Sequence, residues 1–447
     1  MIRITAIVTI GLLAAPISVS PARAQTFSSG STGADGAFNP PTGTTTLVLP
    51  STGVFNFTTV NIPAFATVKI TRNAANTPVT LLASGNVTIA GTIDIRGADG
   101  SFSKLSASGA GSGGGAGGPG GFDGGSGATA VISGTGGAGL GPGGGLGSTG
   151  IGGGGGGAGY TLPGAAGKGT AGSGGPAYGT PSLLPLVGGS GGGGGGAVTP
   201  NTGGGGGGGG GALLIASSGT IAFTGSIQAQ GGVGGGLVSG GGAAAGGGGS
   251  GGSVRLIATA ITGTSAIANV AGGSGGATTT TLGGGDGSPG RFRVEAFTNT
   301  LAVNLGTGSV GVLSTGAPTA VTLPGAPSLR IAAVGGVAAP AAPSGSFTIA
   351  DVVLPASATN PLTVSLAATN IPVGTTVTVT VKGLFGEAFS TASTPLAGTL
   401  AASTASAVVT IPTNQPSVVG ASVSFPLAAA GGDTPRYAGA TSLSAAR

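Results

Sequence analysis

The chain has 447 residues, 105 of them glycine, and no cysteine, histidine or tryptophan. Disulfides, thiolate metal sites and imidazole catalysis are therefore excluded. Only 5% of residues are charged and the formal net charge is +5, with no basic run, so no nucleic-acid partner is expected.

The first residues read as an export signal. Arg3 supplies a positive start and residues 4–15 an apolar stretch. Ala22, Arg23 and Ala24 form an A-x-A cleavage site, so the expected cut falls between Ala24 and Gln25. The apolar stretch is broken at Pro16 and is shorter than the roughly 20 residues a membrane span needs. The mature chain is expected outside the cell or on its surface, with no membrane span. Without Arg3 and Arg23 its formal charge falls to +3.

Residues 25–53 are rich in Ser, Thr, Gly and Pro and read as a leader or cap. Strand patterns begin at Val54-Phe-Asn-Phe57 and continue through Ile62, Val68 and Ile70. Residues 87–97 (VTIAGTIDIRG) and 221–231 (IAFTGSIQAQG) match closely: Val87, Ile89, Gly91, Ile93, Ile95 and Gly97 correspond to Ile221, Phe223, Gly225, Ile227, Ala229 and Gly231. A looser copy starts at Ser253 and continues through Ile261, Gly263, Ile267 and Val270. A fourth starts at Arg291 and continues through Leu301, Val303 and Leu305.

Glycine-rich sequence follows the first three copies, at 97–211, 231–252 and 272–290. In the segment 109–211, 53 of 103 residues are glycine, too many for a side-chain core. Insertions at one phase of a repeat are what a solenoid shows when loops leave from one face. Two readings of these loops stand. They are disordered linkers, or they pack side by side as a polyglycine-II bundle whose backbone groups pair with each other.

Residues 314–344 read as a final cap and linker. From 345 to 427 short strand patterns separated by Pro and Gly turns predict an immunoglobulin-like β-sandwich. Residues 428–447 read as a flexible tail. The expected fold is thus all-β: a short parallel β-helix over 54–313 with glycine-rich insertions, then an immunoglobulin-like domain.

The residues Phe55-Asn-Phe57, Asn61-Ile-Pro63 and 79–97, leading into Gly-Gly-x-Gly sequence, resemble bacterial exported glycine-rich parallel β-helix proteins over residues 54–313. The resemblance implies the fold and carries no catalytic motif. In composition the glycine tract also resembles those of some phage adhesin tips and of a glycine-rich antifreeze protein.

The acids are Asp35, Asp94, Asp99, Asp123, Asp286, Glu295, Asp351, Glu387 and Asp433. Only Asp94 and Asp99 are close in sequence, and Arg96 on the same strand face as Asp94 suggests a solvated ion pair. The Asp-Gly turns at Asp99, Asp123 and Asp286 offer one carboxylate each, short of the six to eight oxygens Ca²⁺ takes. Gly167-Lys168-Gly169-Thr170 lacks a P-loop's contiguous Gly-Lys-Thr. No catalytic, cofactor or metal residue is expected. Tyr160 and Tyr178 are candidate surface contacts for carbohydrate, with bundle anchors as the alternative.

The expected function is a secreted or cell-surface structural or adhesive protein that is not an enzyme, its partner a carbohydrate or another copy of itself. One alternative is a polysaccharide-cleaving enzyme, favoured if two carboxylates share a groove within about 10 Å. Another is ice binding through the threonines at 278–281 and at 375, 376, 378 and 380.

Overall fold

The computed structural model describes residues 25–105, 111–130, 134–237, 243–277, 282–306, 310–322, 325–426 and 436–446. The expected signal segment, Asp433 and the threonines at 278–281 lie outside them. So do the side chains beyond residue 425.

The thirteen strands described from Ala37 to Gly316 join into one sheet, and every pairing in it is parallel. The sequence matches reappear as register. Val87 pairs with Ile221 and Ile89 with Phe223, while Ile93 pairs with Ile227. β-branched residues at period two fit a pleated surface with one buried face. In Ala66–Thr71, Ala66, Val68 and Ile70 are buried while Lys69 is exposed. Inward residues from most of the sheet, all but the edge strand Val312–Gly316, share one core. Ile89, Ile93, Phe223, Ile227, Val254 and Phe292 are among its most buried members. Burying one such side chain stabilises the fold by about 1.5–3 kcal/mol.

This corrects the expected fold. The all-β character stands, but the short parallel β-helix does not: the strands form a single large parallel sheet, and no closed solenoid is found among the described residues. The reason lies in the later copies. Where the first copy divides into Val79–Ala83, Val87–Ile89 and Thr92–Asp94, the third is one continuous strand, Ser253–Asn269. Its backbone stays paired through the bend with Arg291–Asn304, with a register shift between Gly263 and Ala266. That shift also moves the apolar phase. Ile267, read as a core position, is exposed, and Ala268 takes the buried place beside Ile227.

The C-terminal part holds two five-stranded sheets packed over one core, a β-sandwich that begins earlier and ends later than the span 345–427. One runs from Val337–Ala338 through Ser328–Val334, Leu362–Thr369 and Ala402–Val409 to Ala397–Thr399. The other runs from Val352–Val353 through Arg436–Ala446, Ser417–Pro426 and Thr378–Gly383 to Ala388–Ala392. Val364, Leu366 and Ala407 of the first meet Val379, Val381 and Val419 of the second in one core. The span expected as a linker contributes Ser328–Val334, paired with Leu362–Thr369. Within the expected tail, Arg436–Ala446 pairs with Ser417–Pro426.

Between these parts lie the glycine segments. All nine amides of 203–211 donate to other segments, at 2.8–2.9 Å. Gly203, Gly206 and Gly209 donate to Ala128, Gly125 and Phe122. Gly204, Gly207 and Gly210 donate to Ala244, Gly247 and Ser250, and Gly205, Gly208 and Gly211 to Ser101, Ala98 and Ile95. The carbonyls of the same stretch accept from Gly115 and Gly118, from Gly189, Gly192 and Gly195, and from Gly232 and Gly235. A β-strand bonds to two neighbours. This stretch bonds to six, in a period of three, as a chain with three residues per turn must. Glycine is required by closeness. A Cβ on Gly206 would lie 2.0 Å from the Gly192 oxygen, and one on Gly209 would lie 1.9 Å from the Gly189 oxygen.

Candidate functional site

The glycine array ends in an outer layer around residues 162–177. Leu162, Pro163, Ala165, Ala166 and Lys168 are exposed, while a Cβ on Gly164 would meet the Gly157 oxygen at 2.0 Å. Gly164 and Gly167, and after a turn Gly172 and Gly175, face the array, while the exposed residues between them face outward. The outward face carries small side chains and, in 162–177, the single charge of Lys168.

The two tyrosines lie within this architecture rather than on its face. Their rings meet edge to face with centroids 4.6 Å apart. The Tyr160 hydroxyl donates to the Val187 carbonyl at 2.9 Å. The Tyr178 hydroxyl donates to the Gly188 carbonyl and accepts from Ser190 Oγ. Both hold the chain where it enters the run 188–196. Tyr160 is buried and Tyr178 half-buried, so they act as anchors and not as the surface contacts their sequence position suggested. Burial pushes the Tyr160 phenol up to about 12, and pushes Tyr178 well above its ordinary value.

The carboxylates are spread through the fold, and most hold backbone. Asp35 accepts from the Asn56 amide at 2.6 Å, Asp99 from Val233 at 2.8 Å and Asp286 from Gly275 at 2.8 Å. Asp123 accepts from the Gly117 amide at 2.8 Å and from Arg72 at 2.6 Å. Asp351 accepts from Ser344 and Gly345. Asp94 takes two hydrogen bonds from the guanidinium of the half-exposed Arg96, at 3.0 and 2.8 Å, and a third from its backbone amide at 3.1 Å. Glu387 is exposed in a turn. Among the described residues no three His, Cys, Asp or Glu side chains form a metal-binding group.

One charged cluster escaped the sequence reading. Arg255 and Glu295 have no exposed side-chain surface and form a two-point pair at 3.0 and 3.0 Å. Arg293 adds a 2.6 Å bond to Glu295, and Thr319 donates to the same carboxylate through its amide and its hydroxyl. Burial by itself would raise the Glu295 pKa. The bonds and charge of Arg255, with Thr319 and Arg293, outweigh it and hold the carboxyl below its usual value. The signal was present in the register: Arg255 and Arg293 are cross-strand partners, and Glu295 lies two residues on, on the same strand face.

A cleft of about 320 Å³ opens where the array meets the C-terminal sheets. Leu140, Leu146 and Pro176 line one side, and Thr380, Ser390 and Ser422 the other. Lys382 spans the junction, its Nζ donating to the Gly139 oxygen at 2.6 Å and the Gly141 oxygen at 3.3 Å. Burial lowers its pKa to about 8.

Comparison of the chain with protein-family models, with curated proteins and with solved structures finds no match. No helix among the described residues is long and apolar enough to cross a membrane.

Proposed function

We propose that this chain is an exported structural or adhesive protein without catalytic activity, in which the glycine array presents a rigid, side-chain-poor surface. The observation that carries the reading is the bonding of residues 203–211 to six neighbouring segments. Ordering glycine costs roughly 1–2 kcal/mol per residue in backbone entropy alone. An array that meets this cost cooperatively makes a stiff body from a sequence with almost no side chains. The carboxylates support the same reading, because those of Asp35, Asp99, Asp123, Asp286 and Asp351 already hold backbone amides.

The test uses residues 25–447 as purified chain. Sedimentation measures self-association, and co-pelleting with insoluble neutral and acidic polysaccharides measures adhesion. Concentration-dependent assembly or retention on a polysaccharide supports the proposal. A monomer retained by none of them, or release of reducing or unsaturated sugar ends, overturns it.

A further inference from the structure

The cleft at Lys382 lies where two separately built parts of the molecule meet, a common setting for ligand sites. Its floor is the outward face of a sheet. Val379 and Val381 point into the C-terminal core, so Thr380 and Lys382 point the other way, toward the glycine array. Thr380 pairs with Ser390 on one side and with Gly420 on the other. The Thr380 and Ser390 hydroxyls bond to each other at 2.8 Å, and Gly420, without a side chain, leaves the floor open beside them. Opposite stand the apolar surfaces of Leu140, Leu146 and Pro176.

Lys382 supplies the charge. An ammonium has three donors, and Gly139 and Gly141 take two of them. Among the described residues no acidic side chain lines the cleft. A cation held by neutral carbonyls in a half-buried setting lacks a counter-charge, and a bound anion would supply one. At about 320 Å³ the space is at the small end for ligand pockets. It suits one ring rather than a polymer chain.

We infer that this cleft binds a single acidic sugar residue, its carboxylate on Lys382 Nζ, its hydroxyls toward Thr380, Ser390 and Ser422, and its ring face on Leu140 and Leu146. The inference deepens the adhesive reading by naming a ligand class, and it rests on that reading for its biological setting only.

The experiment is calorimetric titration of residues 25–447, at fixed ionic strength, with D-glucuronate, D-glucose and acetate. Saturable one-to-one binding of glucuronate is expected, tighter than glucose by about tenfold or more, the worth of one charge-assisted hydrogen bond, and tighter than acetate by a similar factor through the hydroxyl and ring contacts. Lys382→Met should remove the advantage over glucose, and Leu140→Ala should weaken glucuronate without changing acetate. Absence of saturable glucuronate binding overturns the inference, and so does equal binding by Lys382→Met. Acetate binding as tight as glucuronate also overturns it, because the site would then take any small anion. Failure here beside intact self-association or retention on neutral polysaccharide would leave the adhesive reading standing.

Discussion

Arg255 and Glu295 sit on neighbouring parallel strands, two positions out of register, and close a two-point ion pair with no side-chain exposure. Arg293 and Thr319 complete the shell of the carboxylate. Breaking such a pair leaves an uncompensated buried charge. Glu295→Ala should therefore cost about 3–5 kcal/mol. The double change Arg255→Met with Glu295→Leu should recover most of this, since no buried charge is stranded. Urea unfolding of the three proteins checks the order, and a double variant as unstable as the single one would count against it.

The same carboxylate sets an acid limit. Its folded pKa lies below the unfolded value of about 4.5. The folded state therefore holds fewer protons than the unfolded state in this window, and stability falls as pH drops. The contribution is complete above about 4.5 and is lost as pH falls through the lower folded value. Melting temperature should decline on acidification below about 4.5, and the decline should be shallower in the double variant.

At alkaline pH two effects of opposite sign are expected. Burial lowers Lys382 to about 8 from 10.5. Between these values the unfolded chain holds the proton that the folded chain has lost, so stability rises with pH. Tyr160 is raised to about 12 and Tyr178 is raised too, so above about 10 the unfolded chain loses protons that the folded chain keeps, and stability falls. Unfolding midpoints from pH 7 upward should climb and then drop. Lys382→Met should flatten the climb, and Tyr160→Phe with Tyr178→Phe should soften the drop.

Glycine replacements separate backbone contact from simple abundance. A Cβ at Gly206 meets the carbonyl of Gly192 at 2.0 Å for oxygen and 2.5 Å for carbon, and backbone cannot swing aside. Gly206→Ala should cost more than the about 1–3 kcal/mol typical of an overfilled core. At Gly113 the nearest atom is Ser101 Oγ at 3.7 Å, so Gly113→Ala should stabilise by about 0.4–1 kcal/mol. Thermal unfolding checks both signs. Equal effects at the two sites would sink the packing account.

Amide exchange addresses order in the array directly. With glycine labelled by ¹⁵N, the amides of residues 203–211 should exchange only through global unfolding, because each donates to another segment. Free-coil exchange rates there would contradict the array.

The sequence was most legible where apolar residues recur at period two. Val87 and Ile221, or Ile93 and Ile227, matched in sequence and pair in space. What it concealed depends on distant segments. The Arg255 cluster lies on the outward strand face and reads as solvated until Thr319 closes over it. Tyr160 and Tyr178 look like isolated aromatics in a flexible tract, because nothing local says that residues 187–190 return against them. The cleft at Lys382 joins positions some 240 apart in the chain and has no sequence signature. The β-helix expectation failed for a related reason. Short strands with corners describe the first copy alone, while the continuous pairing of Ser253–Asn269 with Arg291–Asn304 decides how later copies bend.

The bonding of residues 203–211 has a mechanical side. A pull along that stretch loads hydrogen bonds to six neighbours together, in shear, and those neighbours run in both directions along the chain. No single edge exists from which it could be peeled. Force applied at one end would be shared sideways through the whole cross-section, so failure should begin at the strand edges of the sheet, such as Val312–Gly316, before any glycine segment slips.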